Sequence, residues 1–96
     1  MKHLALILAL GLLAAAPGMA RAADCYADYK AKQDSPLRLH YGVMQLSGAC
    51  TKRAAQSELA TRLARNGWTL LNVLTVFGPE GLEERKTNAG SYYLRF

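Results

Sequence analysis

The sequence predicts a small α+β domain with the element order β-α-β-β, in which one helix packs on one face of a three-stranded sheet. Two observations carry this prediction: an amphipathic helical segment lies between two strand-like segments, and a short aromatic strand pattern ends the chain. The chain has 96 residues and a mass of 10.5 kDa. That length allows one domain and excludes a multidomain enzyme or a repeat array.

The N-terminus has the pattern of a secretory signal peptide. A basic start at Lys2 precedes the apolar run Leu4–Ala16, and small residues follow near Ala22. A helix of this run is only about 20 Å long, which is too short for a hydrocarbon core of about 30 Å. We therefore predict that residues 1–22 are removed by cleavage between Ala22 and Ala23, and that no stable membrane span remains.

The charge balance of the remaining chain argues against a nucleic-acid partner. Cleavage would leave ten basic and seven acidic residues from a chain whose full net charge is +5. This excess is modest and scattered along the sequence, whereas nucleic-acid binding domains concentrate basic residues on one surface. The predicted location is the periplasm or the extracellular space.

Cys25 and Cys50 are the only two cysteines, and export would place them in an oxidising compartment. A disulfide between them would tie an N-terminal extension, residues 23–37, to a domain at residues 38–96. Such a bond stabilises by roughly 3–4 kcal/mol when it is unstrained. The alternative is a redox thiol at Cys50, near a helix start, although no Cys-x-x-Cys pair supports it.

The segment 24–36 is polar and is predicted to form one or two helical turns before Pro36. Leu37–Leu46 is rich in strand formers and is predicted to be strand 1. Its apolar alternation slips by one residue at Gly42, which is typical of a β-bulge.

The predicted helix runs from Lys52 to Arg65, with Thr51 as its N-cap and Asn66-Gly67 as its stop. A favourable i,i+4 pair of opposite charges, Glu58 and Arg62, lies on its outer side. One apolar stripe faces the sheet, formed by Ala55, Leu59, Ala60 and Leu63.

Strand 2 is predicted at Trp68–Phe77, and because it is apolar on both sides it would lie in the middle of the sheet. The crossover from strand 1 would be right-handed. A loop at Gly78–Gly90 would lead to strand 3 at Ser91–Phe96, antiparallel to strand 2. One helix covers one sheet face only, so the N-terminal segment or a second copy would cover the other, which suggests a homodimer.

The runs Leu63–Leu70 (LARNGWTL) and Tyr92–Phe96 (YYLRF) resemble small bacterial domains of unknown function, in which a helix ends in Gly-Trp-x-Leu and an aromatic strand closes the chain. The runs Cys25–Lys30 (CYADYK) and Pro36–Val43 (PLRLHYGV) are similar to uncharacterised secreted proteins of Gram-negative bacteria. This resemblance implies the fold, with Trp68 filling the gap between helix and sheet. It implies no activity.

Motifs for catalysis or cofactor binding are not found. His40, on strand 1, is the single histidine after cleavage, so neither a metal site nor a nucleophile with a base is predicted. Gly-rich phosphate loops and Gly-x-Ser-x-Gly elbows are also missing. The sequence therefore predicts a non-enzyme with no cofactor and no metal.

The predicted loop carries a cluster of charges that balance one another, and its simplest interpretation is a solvated surface. A long loop in a small domain is also a candidate recognition site. The residues of this candidate site are Glu80, Glu83, Glu84, Arg85 and Lys86.

The resulting hypothesis is a non-enzymatic envelope protein that binds another protein, or itself, through an exposed sheet face and this loop. One alternative is a thiol-redox or other small envelope enzyme that uses the cysteines or the loop glutamates. The other alternative is a carrier of a small apolar ligand between helix and sheet, although the core is small for such a pocket.

Overall fold

The computed structural model describes residues 24–96, which form a three-stranded antiparallel sheet with a helix on each face. The α+β class, the three-stranded sheet and the disulfide are confirmed. The predicted signal peptide and its cleavage site between Ala22 and Ala23 lie outside the described residues. The elements are β1 (Tyr26–Gln33), β2 (Arg38–Gln45), α1 (Lys52–Ala64), β3 (Thr69–Phe77), a 3-10 turn (Pro79–Gly81), α2 (Glu83–Ala89) and a second 3-10 turn (Gly90–Tyr92).

The N-terminal segment is the central strand of the sheet, so the prediction of helical turns in an N-terminal extension is wrong. The sheet order is β2-β1-β3, and both outer strands run antiparallel to β1. The observed element order is therefore β-β-α-β-α. β2 and β3 are parallel to each other and are connected through α1 by a crossover, but β1 lies between them. The prediction that the strand at Trp68–Phe77 lies in the middle of the sheet is wrong, since β3 is at its edge. The physical reason is alternation: Ala27, Tyr29 and Ala31 are fully buried on one face, while Asp28 and Lys30 lie on the other.

β1 and β2 form a hairpin whose register runs without interruption through Gly42 opposite Tyr29. The bulge predicted at Gly42 is therefore wrong. The glycine is needed for space, because a Cβ atom there would lie 2.6 Å from Cζ of Tyr29. The register shifts occur instead between β1 and β3, where Leu71 and Leu74 are extra residues of β3.

α1 confirms the predicted helix within one residue. Thr51 Oγ1 accepts a hydrogen bond from the backbone N–H of Ala54 at 3.1 Å, as expected for an N-cap. The stop is at Gly67, whose φ of 80° lies in the left-handed region that glycine adopts most easily. The buried stripe consists of Ala55, Leu59 and Leu63, each with no exposed surface.

α1 packs on the first face of the sheet and encloses the main core with it. Trp68, which is only 8% exposed, lies in this core next to the end of the helix, as the resemblance implied. Burial of apolar side chains contributes about 25 cal/mol per Å² removed from water, so this face supplies much of the folding free energy. The other buried members are Cys25, Ala27, Tyr29, Ala31, Met44, Leu46, Val73 and the α1 stripe.

The C-terminal part differs from the prediction. The expected loop at Gly78–Gly90 contains α2, and the expected strand at Ser91–Phe96 is a 3-10 turn followed by a single bridge to β2. The aromatic alternation arises because the chain wraps around the β2 edge. Tyr92 and Phe96 pack into the first-face core, and Tyr93 packs on the second face.

The second face of the sheet is covered over half of its length only. α2 places the buried Ala89 beside Tyr26 and Val43, with Phe77 and other partly buried side chains around them. Beyond this cluster, toward the turn between β1 and β2, the described residues place no element over the sheet. This uncovered half positions the candidate site.

Candidate functional site

The uncovered half of the second face carries four side chains that together we call the basic apolar patch: Lys30, Lys32, Leu39 and Leu71. Leu39 is 66% exposed and Leu71 is 49% exposed. Leu39 lies directly opposite Lys32 in the β1–β2 register, so charge and apolar surface alternate across the strands. Leu39 and Leu71 line one concavity on this face, so their exposed apolar surfaces are close enough to contact one partner.

The basic apolar patch contains a shallow, open concavity of about 250 Å³. Lys30 lines it and has no ion-pair partner among residues 24–96. Lys32 pairs with Asp34 at 3.2 Å, in solvent. Tyr41 closes the concavity on the side that faces α2. The remaining lining atoms belong to Ala31, Leu39, His40 and Leu71.

A charged network lies under α2 and borders the patch through Tyr41. The Tyr41 hydroxyl donates to Oδ2 of Asp28 at 2.8 Å, and Nε of Arg85 donates to the same oxygen at 3.1 Å. Burial and the hydrogen bond to Asp28 raise the pKa of Tyr41 to about 12. Burial lowers the pKa of Arg85, but Asp28 outweighs this effect and raises that pKa above its ordinary value. At neutral pH Arg85 therefore keeps its charge, and the neutral Tyr41 hydroxyl keeps its proton as a hydrogen-bond donor.

The candidate recognition residues divide into two groups. Arg85 has a side chain only 18% exposed, so the expectation that it is a solvated charge is wrong. It points inward because Asp28 is buried below it and the Phe77 ring lies 3.9 Å from its guanidinium carbon. The other four residues are exposed on and before α2: Glu80, Glu83, Glu84 and Lys86. Their role in recognition stays a prediction.

A second buried polar pair lies on the first face of the sheet. Tyr29 Oη and His40 Nε2 are hydrogen-bonded at 2.9 Å. The imidazole stacks on Tyr92 with 3.7 Å between ring centroids and meets Trp68 edge-on at 4.3 Å. Its Nδ1 is buried without a partner in the described part of the chain.

Burial in this aromatic surrounding lowers the pKa of His40 to about 4. Burial also raises the pKa of Tyr29 above its ordinary value. Both groups are neutral at physiological pH as a result. Within residues 24–96, no cluster of three or more His, Cys, Asp or Glu side chains is placed to hold a metal ion.

The C-terminus is joined to α1 by a third polar group. Glu58 accepts from the backbone N–H groups of Ser47 at 2.9 Å and Gly48 at 3.1 Å, and it pairs with Arg62 at 2.8 Å, as the sequence predicted. Burial raises the pKa of Glu58, but these donors outweigh it and lower that pKa below its ordinary value. Arg62 also donates to the carbonyl oxygen of Phe96.

The disulfide joins the start of β1 to the segment before α1. Cys25 is buried and Cys50 is exposed, with 5.8 Å between their Cα atoms. The described chain has no free cysteine. A disulfide in a domain of this size is typical of the periplasm or the extracellular space. No helix of residues 24–96 has the length and apolar character needed to cross a membrane.

Comparison of the chain with protein-family models, with curated proteins and with solved structures gives no match. The function must therefore be argued from the geometry of this domain.

Sequence reasoning missed the basic apolar patch and the Asp28 network. The signal is the period-2 pattern of the run ADYKAK at Ala27–Lys32, where small and aromatic residues alternate with charged ones. Alanine and lysine are depleted in strands, so composition alone does not indicate a strand here. Once β1 is the central strand, Lys30 and Lys32 lie between Leu39 and Leu71.

Proposed function

We propose that the protein is a non-enzymatic binding protein of the periplasm or the extracellular space. The basic apolar patch binds a segment of another protein that carries both apolar and acidic side chains. One observation carries this proposal: Leu39 and Leu71 are exposed around Lys30, a lysine without an ion pair in residues 24–96, on the uncovered half of the sheet. An acidic partner residue would supply the missing counter-charge.

Charge favours a different protein over a second copy as the occupant of this patch. In a two-fold contact the same surface meets itself, so Lys30 and Lys32 of one copy would face the same lysines of the other. Like charges brought together at an interface are unfavourable. The patch therefore has the wrong charge for self-association and the right charge for an acidic surface.

The shape of the concavity favours a protein segment over a small ligand. Sites for small molecules are enclosed clefts of roughly 300–1,000 Å³. The concavity here measures about 250 Å³ and is open along one side. A segment that lies across it can extend beyond it onto Leu39 and Leu71, whereas a small carried molecule would stay in contact with water.

The absence of an enzymatic role is supported by where the titratable groups lie. Asp28 is 5% exposed and is held by Tyr41 and Arg85, and His40 is 8% exposed and is held by Tyr29. Each group already bonds to another side chain of the protein through one of its atoms, and the atom that remains, Oδ1 of Asp28 or Nδ1 of His40, is buried. Acid–base catalysis requires such groups to reach a substrate.

Site-specific photo-crosslinking in the cell envelope tests this proposal. A photoreactive amino acid replaces Leu71 in the patch, and in the matched control it replaces Leu94, which is 42% exposed but lies outside the patch. We expect position 71 to form an adduct with one other protein, and the substitution Lys30→Glu to reduce its yield at least tenfold. The captured region should be rich in acidic and apolar residues.

An adduct from position 71 with a second copy of this chain and with no other protein, or equal adducts from positions 71 and 94, would overturn the proposal. The same holds if Lys30→Glu leaves the yield unchanged. A mass increase on the protein purified from the envelope, with no protein adduct at position 71, would favour the small-ligand carrier instead.

A further inference from the structure

We infer that the outer edge of β3 pairs with β3 of a second copy, which joins two domains into one continuous six-stranded antiparallel sheet. This surface is the edge of the sheet, whereas the partner proposed above occupies its face. The inference does not rest on that proposal.

The two edges of the sheet differ in how many of their outward-facing backbone groups are hydrogen-bonded. On the β2 edge, Tyr93 forms a bridge to Val43, and the backbone N–H of Leu94 donates to the carbonyl oxygen of Val43 at 2.7 Å. On the same strand, Arg62 donates to the carbonyl oxygen of Gln45 at 2.8 Å. The chain therefore covers the Val43–Gln45 part of this edge with its C-terminal segment and with Arg62 of α1.

The β3 edge has no such cover in the described part of the chain. β1 is the only strand that pairs with Thr69–Phe77, and no backbone hydrogen bond from residues 24–96 outside the sheet reaches these nine residues. Every second peptide group of an edge strand points away from its sheet neighbour. These groups are available to another strand.

β3 also lacks the charges that natural edge strands use to prevent pairing. Its sequence, TLLNVLTVF, contains no charged residue and no proline. Lysine, proline and inward-pointing charges are the usual protection of an open edge. The two bulges do bend β3, but the extra residues that they add are Leu71 and Leu74, which leave apolar side chains at the edge. A strand of this composition is stabilised when it is covered.

The second copy is the occupant that fits this strand best. An uncharged strand meets itself without repulsion, in contrast to the patch, where two pairs of lysines would meet. Antiparallel pairing of a strand with itself requires a two-fold axis perpendicular to the sheet, so the contact is closed and stops at two copies. The same axis places both copies of α1 on one side of the sheet and both basic apolar patches on the other.

Sedimentation equilibrium combined with residue-resolved hydrogen exchange on the purified, disulfide-bonded protein tests this inference. We expect a concentration-dependent dimer. In dilute protein, the amides of Thr69–Phe77 that do not donate to β1 should exchange rapidly. At concentrations where the dimer dominates, those amides should slow at least tenfold, while the amides of the β2 edge change little.

Two variants that each add one lysine, at the β3 edge or away from it, test whether this edge forms the dimer contact. Leu74→Lys adds a lysine at a position that belongs to neither core cluster, and Leu94→Lys adds one away from β3. We expect Leu74→Lys to raise the dimer dissociation constant at least tenfold and Leu94→Lys to leave it within twofold of the wild type. Leu39→Ser, in the patch, should also leave it unchanged.

A wild type that stays monomeric at all concentrations would overturn the inference. So would a dimer in which those β3 amides remain unprotected, because that dimer would use another surface. If Leu74→Lys fails to fold, hydrogen exchange of the wild type still decides the question. Loss of the dimer in Leu39→Ser would show that the dimer contact lies in the basic apolar patch. The crosslinking result at position 71 would then show whether the patch also binds another protein.

Discussion

Asp28 and Tyr29 are neighbours on β1, yet they lead to two different buried polar groups on opposite faces of the sheet. Tyr29 bonds to a neutral His40 that is surrounded by aromatic rings under α1. Asp28 forms an ion pair with Arg85 and accepts a hydrogen bond from Tyr41 under the short helix α2. The two groups lie one residue apart in sequence and differ in charge because the covering elements differ.

The helix that packs over each buried polar group determines whether an opposite charge lies near that group. α1 presents an apolar stripe that offers no counter-charge, so a group buried beneath it is stable only in its neutral form. α2 brings Arg85 over the sheet, so the buried carboxyl group beneath it has an ion-pair partner. The face that carries this ion pair is also the face that keeps an open, basic surface.

The largest expected effect comes from Asp28→Asn, which leaves Arg85 without its buried counter-charge. We expect the free energy of unfolding, measured by urea titration, to fall by about 3 kcal/mol. The matched control is Asp34→Asn, because Asp34 also forms an ion pair but its side chain is 64% exposed. The control should change stability by less than about 0.5 kcal/mol. Similar losses in the two variants would contradict the difference drawn between the faces.

Lowering the pH should reduce the free energy of unfolding of the domain, because His40 binds a proton more readily in the unfolded chain. The ordinary pKa of this group is 6.5 and burial lowers it to about 4, so the unfolded chain takes up a proton first as the pH falls. The contribution of His40 is complete above pH 6.5 and is lost as the pH falls toward 4, by roughly 3 kcal/mol. Urea titrations across this range measure it. His40→Gln should be less stable at neutral pH and have a flatter profile; an unchanged slope would show that other groups cause the acid sensitivity.

Removing one hydroxyl from each face sharpens the comparison. Tyr41→Phe deletes a hydrogen bond to a carboxylate and should cost about 2 kcal/mol, whereas Tyr29→Phe deletes a hydrogen bond to a neutral imidazole and should cost about 1 kcal/mol. Thermal and urea unfolding of both variants at neutral pH provide the measurement. A larger loss for Tyr29→Phe than for Tyr41→Phe would reverse the expected order.

The smallest effect is expected for the double variant Glu83→Gln and Glu84→Gln. Both carboxylates are exposed, and the pair of Glu84 with Arg85 leaves the Glu84 side chain 72% exposed. Stability should stay within about 0.5 kcal/mol of the wild type. The yield of the crosslink from position 71 in this variant reports on the recognition role predicted for the two glutamates: an unchanged yield argues against it.

Local signals made α1, β2, β3 and the disulfide predictable. A cap at Thr51, a stop at Gly67 and an apolar period define α1 without knowledge of the rest of the chain. The pairing of Cys25 with Cys50 required only that two cysteines be present. β3 was recognised because it consists mostly of strong strand formers.

The central strand and the C-terminal wrap depend on contacts distant in sequence. Tyr29 is accommodated only because Gly42 lies opposite it, and Asp28 is stable only because Arg85 arrives from α2, 57 residues later. The alternation at Tyr92–Phe96 arises at the edge of β2 and not within a strand. The basic apolar patch could not be predicted until β1 was placed, because its lysines belong to that strand.

The path of the disulfide has a consequence for proteolysis. The bond between Cys25 and Cys50 encloses the whole β1–β2 hairpin, including its exposed turn at residues 34–37. A single cut in this turn would leave β1 tied to the rest of the domain by the disulfide and by its hydrogen bonds to β2 and β3. On a denaturing gel without reductant, the nicked protein would migrate as one species. Adding a reductant would separate its two fragments.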